Sequence, residues 1–328
     1  MYETDSSEQA ALRETIRDFC RQHADATAWK RLTGELGLTA LAVDERYDGM
    51  GATFAEVAIA AEELGRVLLP VPYLSTALAG AVLSDGDRAA AEAFLPGIVS
   101  GAMTAAFIFG GIAATDGRLD GTARHVLDGA AAGVFLVRVQ DVLYTVRAQD
   151  TIVEAVGTLD QTRFQATVTF QGAPTLVVGP DDGRAENLMR VLIAAESAAA
   201  AVHCLDSTVA YLKARRQFGR PIGSFQALKH RCADLAVGVA SARAAAHAAV
   251  SSAVAGTADL AVMAPLAKLY CTDIFWRAAA EMVQLHGGIG FTWEHEAHRY
   301  LKRAKTSQLL LGAPSELRRL VADVAGLR

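Results

Sequence analysis

Cysteine is scarce and scattered. The four residues, Cys20, Cys204, Cys232 and Cys271, form no CxxC pair. That wide spacing leads us to expect reduced thiols, small buried residues in a cytoplasmic protein. Proline is rare, 8 in 328 residues, and charged residues make up 20%, a composition that argues against a disordered chain. No run of ~20 apolar residues is free of glycine, polar or charged breaks, so no membrane span is expected. The start, MYETDSSEQAALRETIRDF, has no basic leader ahead of an apolar core, so no secretory signal is expected. Positive charge is not in excess either. The formal net charge is -5, which disfavours nucleic acid as a general partner.

What the sequence does have is apolar residue, 52% of the chain, enough for a large core and for more than one domain. Leu12, Ile16 and Phe19 recur at helical spacing among Arg13, Glu14, Arg17 and Asp18, predicting an amphipathic helix from residue 7 to about 30. ELGLTALAVDERYDGMGATF breaks the pattern, and Gly37, Gly49 and Gly51 mark a loop-rich connection. FAEVAIAAEELGRVL, STALAGAVL and DRAAAEAFLPGIV read as further helices, with Pro70 and Pro72 as punctuation. Near residue 100 the character changes. AAFIFG, HVLDG, GVFLVRV, VLYTVRA, TIVEAV, FQATVTF and TLVVG are short apolar or alternating runs separated by Gly and Asp, which predicts an antiparallel sheet or barrel.

After Asp182 the pattern returns to helix. ENLMRVLIAAESAAAAVHCLDSTVAYLKAR, QALKHRCADLAVGVASARAAAHAAVSSAVA and DLAVMAPLAKLYCTDIFWRAAAEMVQLHGG are three long helical runs, the last ended by Gly287 and Gly288. HEAHRYLKRAKTSQLLL and SELRRLVADVAG are two more. This order predicts an α+β protein of three blocks: a helical domain over 1–98, a β domain over 99–180 and a helical bundle over 181–328. No GxGxxG follows a strand, so a dinucleotide-binding βαβ fold is not expected.

Two segments of the last block carry a resemblance. RRQFGRPIGSFQALKHRCADL (215–235) is similar to the R-x-Q-F-G-x-P-I-x-x-F-Q segment of acyl-CoA dehydrogenases. QLHGGIGFTWEHEAHRYLKRAK (284–305) is similar to that family's Q-x-x-G-G-x-G-[FY]-[ST]-x-E segment. LGLTALAVDERYDGMGATFAEVAIAAEELG resembles its N-terminal stretch more weakly. The resemblance covers nearly the whole chain and is poorest over the strand block. It implies FAD as cofactor and an acyl-CoA thioester as substrate, with dehydrogenation between the α and β carbons. It assigns cofactor contacts to Arg215, Gln217, Phe218 and Gln226, and, along the adenosine half, to Gln284, Gly287 and Gly288. An arginine beside a glycine turn and a helix N-terminus suits a pyrophosphate, and glycine lets backbone approach a ligand closely.

The resemblance fails at the base. Most members carry a Glu near the C-terminus to take the α proton; here QLLLGAPSELRR puts Leu311 or Gly312 in that place. Other members carry it on the first helix of the bundle, where Met189 stands. No catalytic residue is therefore assigned. Glu196 lies seven residues after Met189, ~10 Å along the helix axis, and reads as a buried or interface polar contact. Glu316 and Glu186 read as helix-start carboxylates. The flavin-contacting loops T-E-P-x-x-G-S-D and W-I-[ST]-N are missing; GGIAATDGRLDGTARHVLDGAAAG occupies their region. Asp116, Asp120 and Asp128 read as turn aspartates, and His125, His286, His295 and His298 have no metal spacing, so no metal is expected.

GRVLLPVPYLSTALAG and GGIGFTWEHEAHRYLKRA resemble short actinobacterial members that pair with a complete chain in α2β2 assemblies and act on sterol side-chain thioesters. Three readings stay open at this point. The chain is a subunit without a base that completes a partner's FAD site, a self-sufficient homomeric flavoenzyme with another base, or a structural subunit without flavin.

Overall fold

The computed structural model describes residues 5–23 and 27–327. Five helices come first: α1 (Ser7–Gln22), α2 (Ala28–Gly34), α3 (Phe54–Arg66), α4 (Tyr73–Ser84) and α5 (Arg88–Val99). Eight strands follow: β1 (Ala105–Ile108), β2 (Ile112–Thr115), β3 (Arg118–Leu127), β4 (Val134–Val139), β5 (Val142–Arg147), β6 (Ile152–Val156), β7 (Gln165–Pro174) and β8 (Leu176–Pro180). The helical remainder is α6 (Arg184–Ala214), a small hairpin of β9 (Arg216–Gln217) and β10 (Arg220–Pro221), α7 (Gln226–Ala255), α8 (Leu260–His286), α9 (Ala297–Leu309) and α10 (Pro314–Val324). The α–β–α order is the expected one. The first predicted helix is shorter than expected: its apolar period lapses over Arg21–His23, and α1 stops at Gln22. The rest of that prediction falls partly on residues 24–26, outside the described residues, and partly on α2.

The chain forms two compact units. One contains Met1–Cys20, Ala58–Leu69 and Arg190–Arg328. Its long helices follow from uninterrupted Ala, Leu and Val at helical spacing. On α7 the buried residues Leu235, Val239, Ala242, Ala246, Ala249 and Ala253 form one stripe three or four positions apart, the pattern of a helix covered on a single side. Gly256, at φ 63°, closes α7 in the left-handed conformation, its N–H bonded to the Ala253 carbonyl, the usual chemistry of a helix C-terminus. An 18-residue window of α6 is long and apolar enough to cross a membrane by length and composition, and most of it is buried.

The other unit contains Arg21–Val57 and Pro70–Met189. Its strands divide between two four-stranded sheets, β1-β4-β5-β8 and β2-β3-β7-β6, where the sequence reads as one. Pairing is antiparallel except for β1 with β4, which run parallel. The sheets share one core, in which Phe135 of β4 meets Phe170 of β7 edge to face at 6.1 Å. The strands of the first sheet are also backed by α4 and α5, and the Ala105 N–H donates to Thr76 Oγ1 of α4 at 3.2 Å.

Candidate functional site

Both motif segments lie at one end of the first unit. α6 runs out at Ala214, and the Arg215 N–H still donates to the Tyr211 carbonyl at 2.8 Å. The β9–β10 hairpin then turns through Phe218 (φ 51°) and Gly219 (φ 75°). Two successive left-handed residues make the tight turn favoured by strand twist. The turn leaves the Phe218 ring 89% exposed. Its neighbours are committed: the Arg220 guanidinium lies 4.0 Å from the Phe225 ring, and Arg216 Nη2 donates to the Gly219 carbonyl at 3.2 Å. Gln217 Nε2 donates to the Arg216 carbonyl at 2.9 Å. Arg215 is exposed, and its guanidinium has no partner among the described residues. Of three arginines in six residues, it alone is uncommitted. Gln226 opens α7 and is exposed.

α8 ends at His286, with Gln284 exposed on its last turn. Gly287 follows at φ 63°, ψ -138°, backbone that only glycine adopts without strain. Nothing would meet a Cβ at Gly287 or Gly288, so this backbone is open to a ligand. Phe291 and Trp293 just beyond are 87% and 74% exposed. Two contacts bind the segments together. The Tyr211 ring of α6 stacks on His286 of α8 at 4.3 Å, and Arg231 of α7 makes two bonds of 2.8 Å to Glu281 of α8. Arg215, Gln217, Phe218, Gln226, Gln284, Gly287 and Gly288 are thereby gathered at one helix-bundle end. An uncommitted guanidinium and open glycine backbone at the same bundle end are groups suited to a dinucleotide's pyrophosphate.

The histidines there are structural. His286 shares a hydrogen bond with the Met282 carbonyl at 2.7 Å and packs against His295 at 4.3 Å; burial holds its pKa below the ordinary value. His203 bonds to Glu296 at 2.8 Å and stacks on Tyr300. The hydrogen bond from His203 holds the Glu296 carboxyl below its usual range.

No base stands at the expected positions. Met189 is buried. Leu311 (φ 53°) and Gly312 (φ 109°) form a left-handed turn between α9 and α10. Cations hold this turn: Arg190 Nε donates to the Leu311 carbonyl at 3.3 Å, and Lys268 Nζ donates to the carbonyls of Gln308 at 3.0 Å and Gly312 at 2.7 Å. Glu196 is buried in an ion pair with the equally buried Arg303 at 2.6 Å, so its carboxylate is committed to the fold. Glu316 caps α10, accepting from the Ala313 N–H at 2.8 Å. In the second unit Glu186 pairs with Arg138 at 2.7 Å.

Among the strands, Asp120 accepts from the Gly172 N–H at 2.8 Å, Asp116 sits in a left-handed turn, and buried Asp128 accepts from Ser75 Oγ at 3.3 Å. His125, left-handed beside a bulge of β3, bonds to Gln165 Oε1 at 3.1 Å. Among the described residues no three His, Cys, Asp or Glu side chains form a metal-holding group. All four cysteines are free. Burial raises their thiols above the ordinary value, Cys20 to about 12.

Lys268, Arg190 and Arg303 had no motif to announce them. The one available signal was a single cation in the apolar run AVMAPLAKLYC, since a charge on a buried helix face must find a partner.

Comparison with known proteins identifies the family. The profile "Acyl-CoA dehydrogenase, N-terminal domain" matches residues 6–102, and "Acyl-CoA dehydrogenase, C-terminal domain" matches residues 184–326. Acyl-CoA dehydrogenase IpdE2 of Mycolicibacterium smegmatis is 38% identical, over 97% of this chain and 99% of its own. Among solved structures, the ChsE4-ChsE5 complex of Mycobacterium tuberculosis superposes with a TM-score of 0.90 at 25% identity, covering 99% of each chain. A variant of the Tcur3481-Tcur3483 steroid ACAD superposes with a TM-score of 0.90 at 26% identity, covering 98% of each.

Proposed function

This chain belongs to the acyl-CoA dehydrogenase family of FAD-dependent flavoproteins, and from that premise we propose that it is the subunit without a base in a heteromeric acyl-CoA dehydrogenase. The observation carrying this reading is the contrast between its two ends. The cofactor-contact segments keep an uncommitted Arg215 and open backbone at Gly287 and Gly288. The base positions hold Met189, Leu311 and Gly312, and Glu196 is tied to Arg303. Supporting it, the ChsE4-ChsE5 and Tcur3481-Tcur3483 neighbours are two-component assemblies. We extend to this chain the steroid-derived acyl-CoA thioester class that the second neighbour's name carries. The proposal keeps the domain division 1–98, 99–180 and 181–328, a cytoplasmic location and an α2β2 assembly.

Bound FAD supplies an acceptor for the hydride leaving the substrate's β carbon. This chain's part is to hold that cofactor: Arg215 neutralises pyrophosphate charge, and Gln217, Phe218, Gln226, Gln284, Gly287 and Gly288 line its pyrophosphate and adenosine. The α proton goes to the partner's carboxylate, because this chain presents none. General-base assistance is commonly worth ~10²–10⁴ in rate, so the chain alone should not turn over. The test co-expresses it with a complete chain and follows flavin bleaching by acyl-CoA near ~450 nm. Glu196→Gln here should leave a folded, flavin-loaded complex active, and Glu→Gln at the partner's base should abolish turnover. Loss of turnover from Glu196→Gln at normal flavin content and assembly would move the base onto this chain and favour the homomeric reading. Assembly and turnover without any flavin requirement from this chain would favour a structural subunit.

A further inference from the structure

One cation in the first unit is buried without a counter-charge. Lys268, a third of the way along α8, is 0% exposed, and its ammonium meets two neutral oxygens, the carbonyls of Gln308 and Gly312. No carboxylate among the described residues pairs with it. Gln308 lies in the last turn of α9, where helical carbonyls have no partner within the helix. Arg190, from α6, takes the carbonyl between them, that of Leu311. Three carbonyls within five residues thus receive cationic donors from two helices.

The backbone between those carbonyls is costly. A leucine at φ 53° is in a conformation that disfavours any side chain by about 1–2 kcal/mol, and such residues persist where their surroundings over-determine them. The N–H of Leu311 and that of Gly312 bond to no other described residue, so the hydrogen bonds of these two residues all lie on their carbonyl side. We propose that Lys268 is the positioning residue of the α9–α10 turn: with Arg190 it holds Leu311 and Gly312 left-handed through the carbonyls of Gln308, Leu311 and Gly312, and loss of its proton loosens the turn.

The charged groups facing the ammonium set when that proton is lost. Burial dominates, the Arg190 guanidinium on α6 adds repulsion, and Glu316 on α10 gives partial compensation; α9 offers the neutral Gln308 carbonyl. The ammonium is pushed down to about 7. A neutral amine still donates, but its hydrogen bonds are roughly half as strong as charge-assisted ones.

The clamp belongs to this chain alone; only its relevance to turnover rests on the function proposed above. The test is amide hydrogen exchange over residues 306–314 of the isolated chain from about pH 5.5 to about pH 9, corrected for intrinsic exchange. Protection should fall on the order of tenfold through a midpoint near 7, with no such midpoint in α7. Lys268→Arg, which keeps its charge, should hold protection to high pH, and Lys268→Met should remove the midpoint. The wild-type profile requires no substitution and decides by itself: constant protection across that range overturns the proposal. A midpoint that survives in folded Lys268→Met overturns it too. A turn that titrates in the isolated chain, within a complex whose turnover ignores it, supports the clamp and counts against placing the turn at the active site.

Discussion

A carboxylate and a guanidinium at 2.6 Å, both shut away from solvent, make the Glu196–Arg303 pair costly to break. Removing one partner strands the other charge. Glu196→Ala should therefore lower stability by about 3–5 kcal/mol, whereas Glu196→Leu combined with Arg303→Met should cost far less than the two single changes added together. Urea denaturation of the four proteins measures the coupling; additive losses would show that the pair does not act as a unit. Arg215 makes the opposite kind of prediction. Arg215→Ala should leave stability unchanged and weaken FAD retention by the assembled complex about tenfold or more. Arg216→Ala, whose guanidinium is spent on the Gly219 carbonyl, should have the smaller effect. Equal flavin affinity in both variants would remove Arg215 from the site. The sequence announced Arg215 because a motif surrounds it. It said nothing of Arg303, because a surface lysine-arginine run and a buried ion pair read alike until α6 and α9 are folded together.

The long helices α6, α7 and α8 were legible to within a few residues, since three unbroken Ala-rich runs of about thirty residues admit one period, whereas the first helix was read about eight residues too long. The sheets were less so. Short apolar strands carry no record of which neighbour they pair with, so neither the split into two sheets nor the parallel β1–β4 pairing could be read from periodicity. Close approach of helices is likewise invisible in a run of small residues. Gly65, near the end of α3, is such a case: a Cβ there would lie 2.2 Å from Glu196 Cγ and 3.0 Å from Glu196 Cα. Alanine is the better helix former by about 1 kcal/mol, yet Gly65→Ala should lower the melting temperature, since overpacking a filled contact costs about 1–3 kcal/mol. Gly34→Ala, in α2 with nothing within 4 Å of its would-be Cβ, is the control and should be neutral or stabilising. The same sign for both substitutions would refute the close-contact argument.

Proton linkage at Lys268 reaches the stability of the whole molecule. Its folded value near 7 lies below the ordinary 10.5, so between those limits the unfolded chain binds a proton that the folded chain does not. Stability then rises with pH through that window. Below it both states are protonated, and the cost of burying the ammonium is carried in full, roughly 5 kcal/mol at most for a shift of that size. The proton that tightens the α9–α10 turn thus weighs against the fold as a whole. Relative to Lys268→Met, the wild type should gain stability steadily from about pH 7 to about pH 10, as measured by denaturant midpoints. Parallel curves for the two proteins would mean that this lysine titrates normally.

The long apolar helix α6 has a consequence for synthesis. Its buried face meets side chains that the ribosome adds much later: Glu196 waits 107 residues for Arg303. At roughly 5–20 residues per second that interval is about 5–20 s. Through it the nascent chain displays a segment with the length and hydropathy of a membrane span before α9 exists to pair with it, a natural substrate for targeting factors and chaperones.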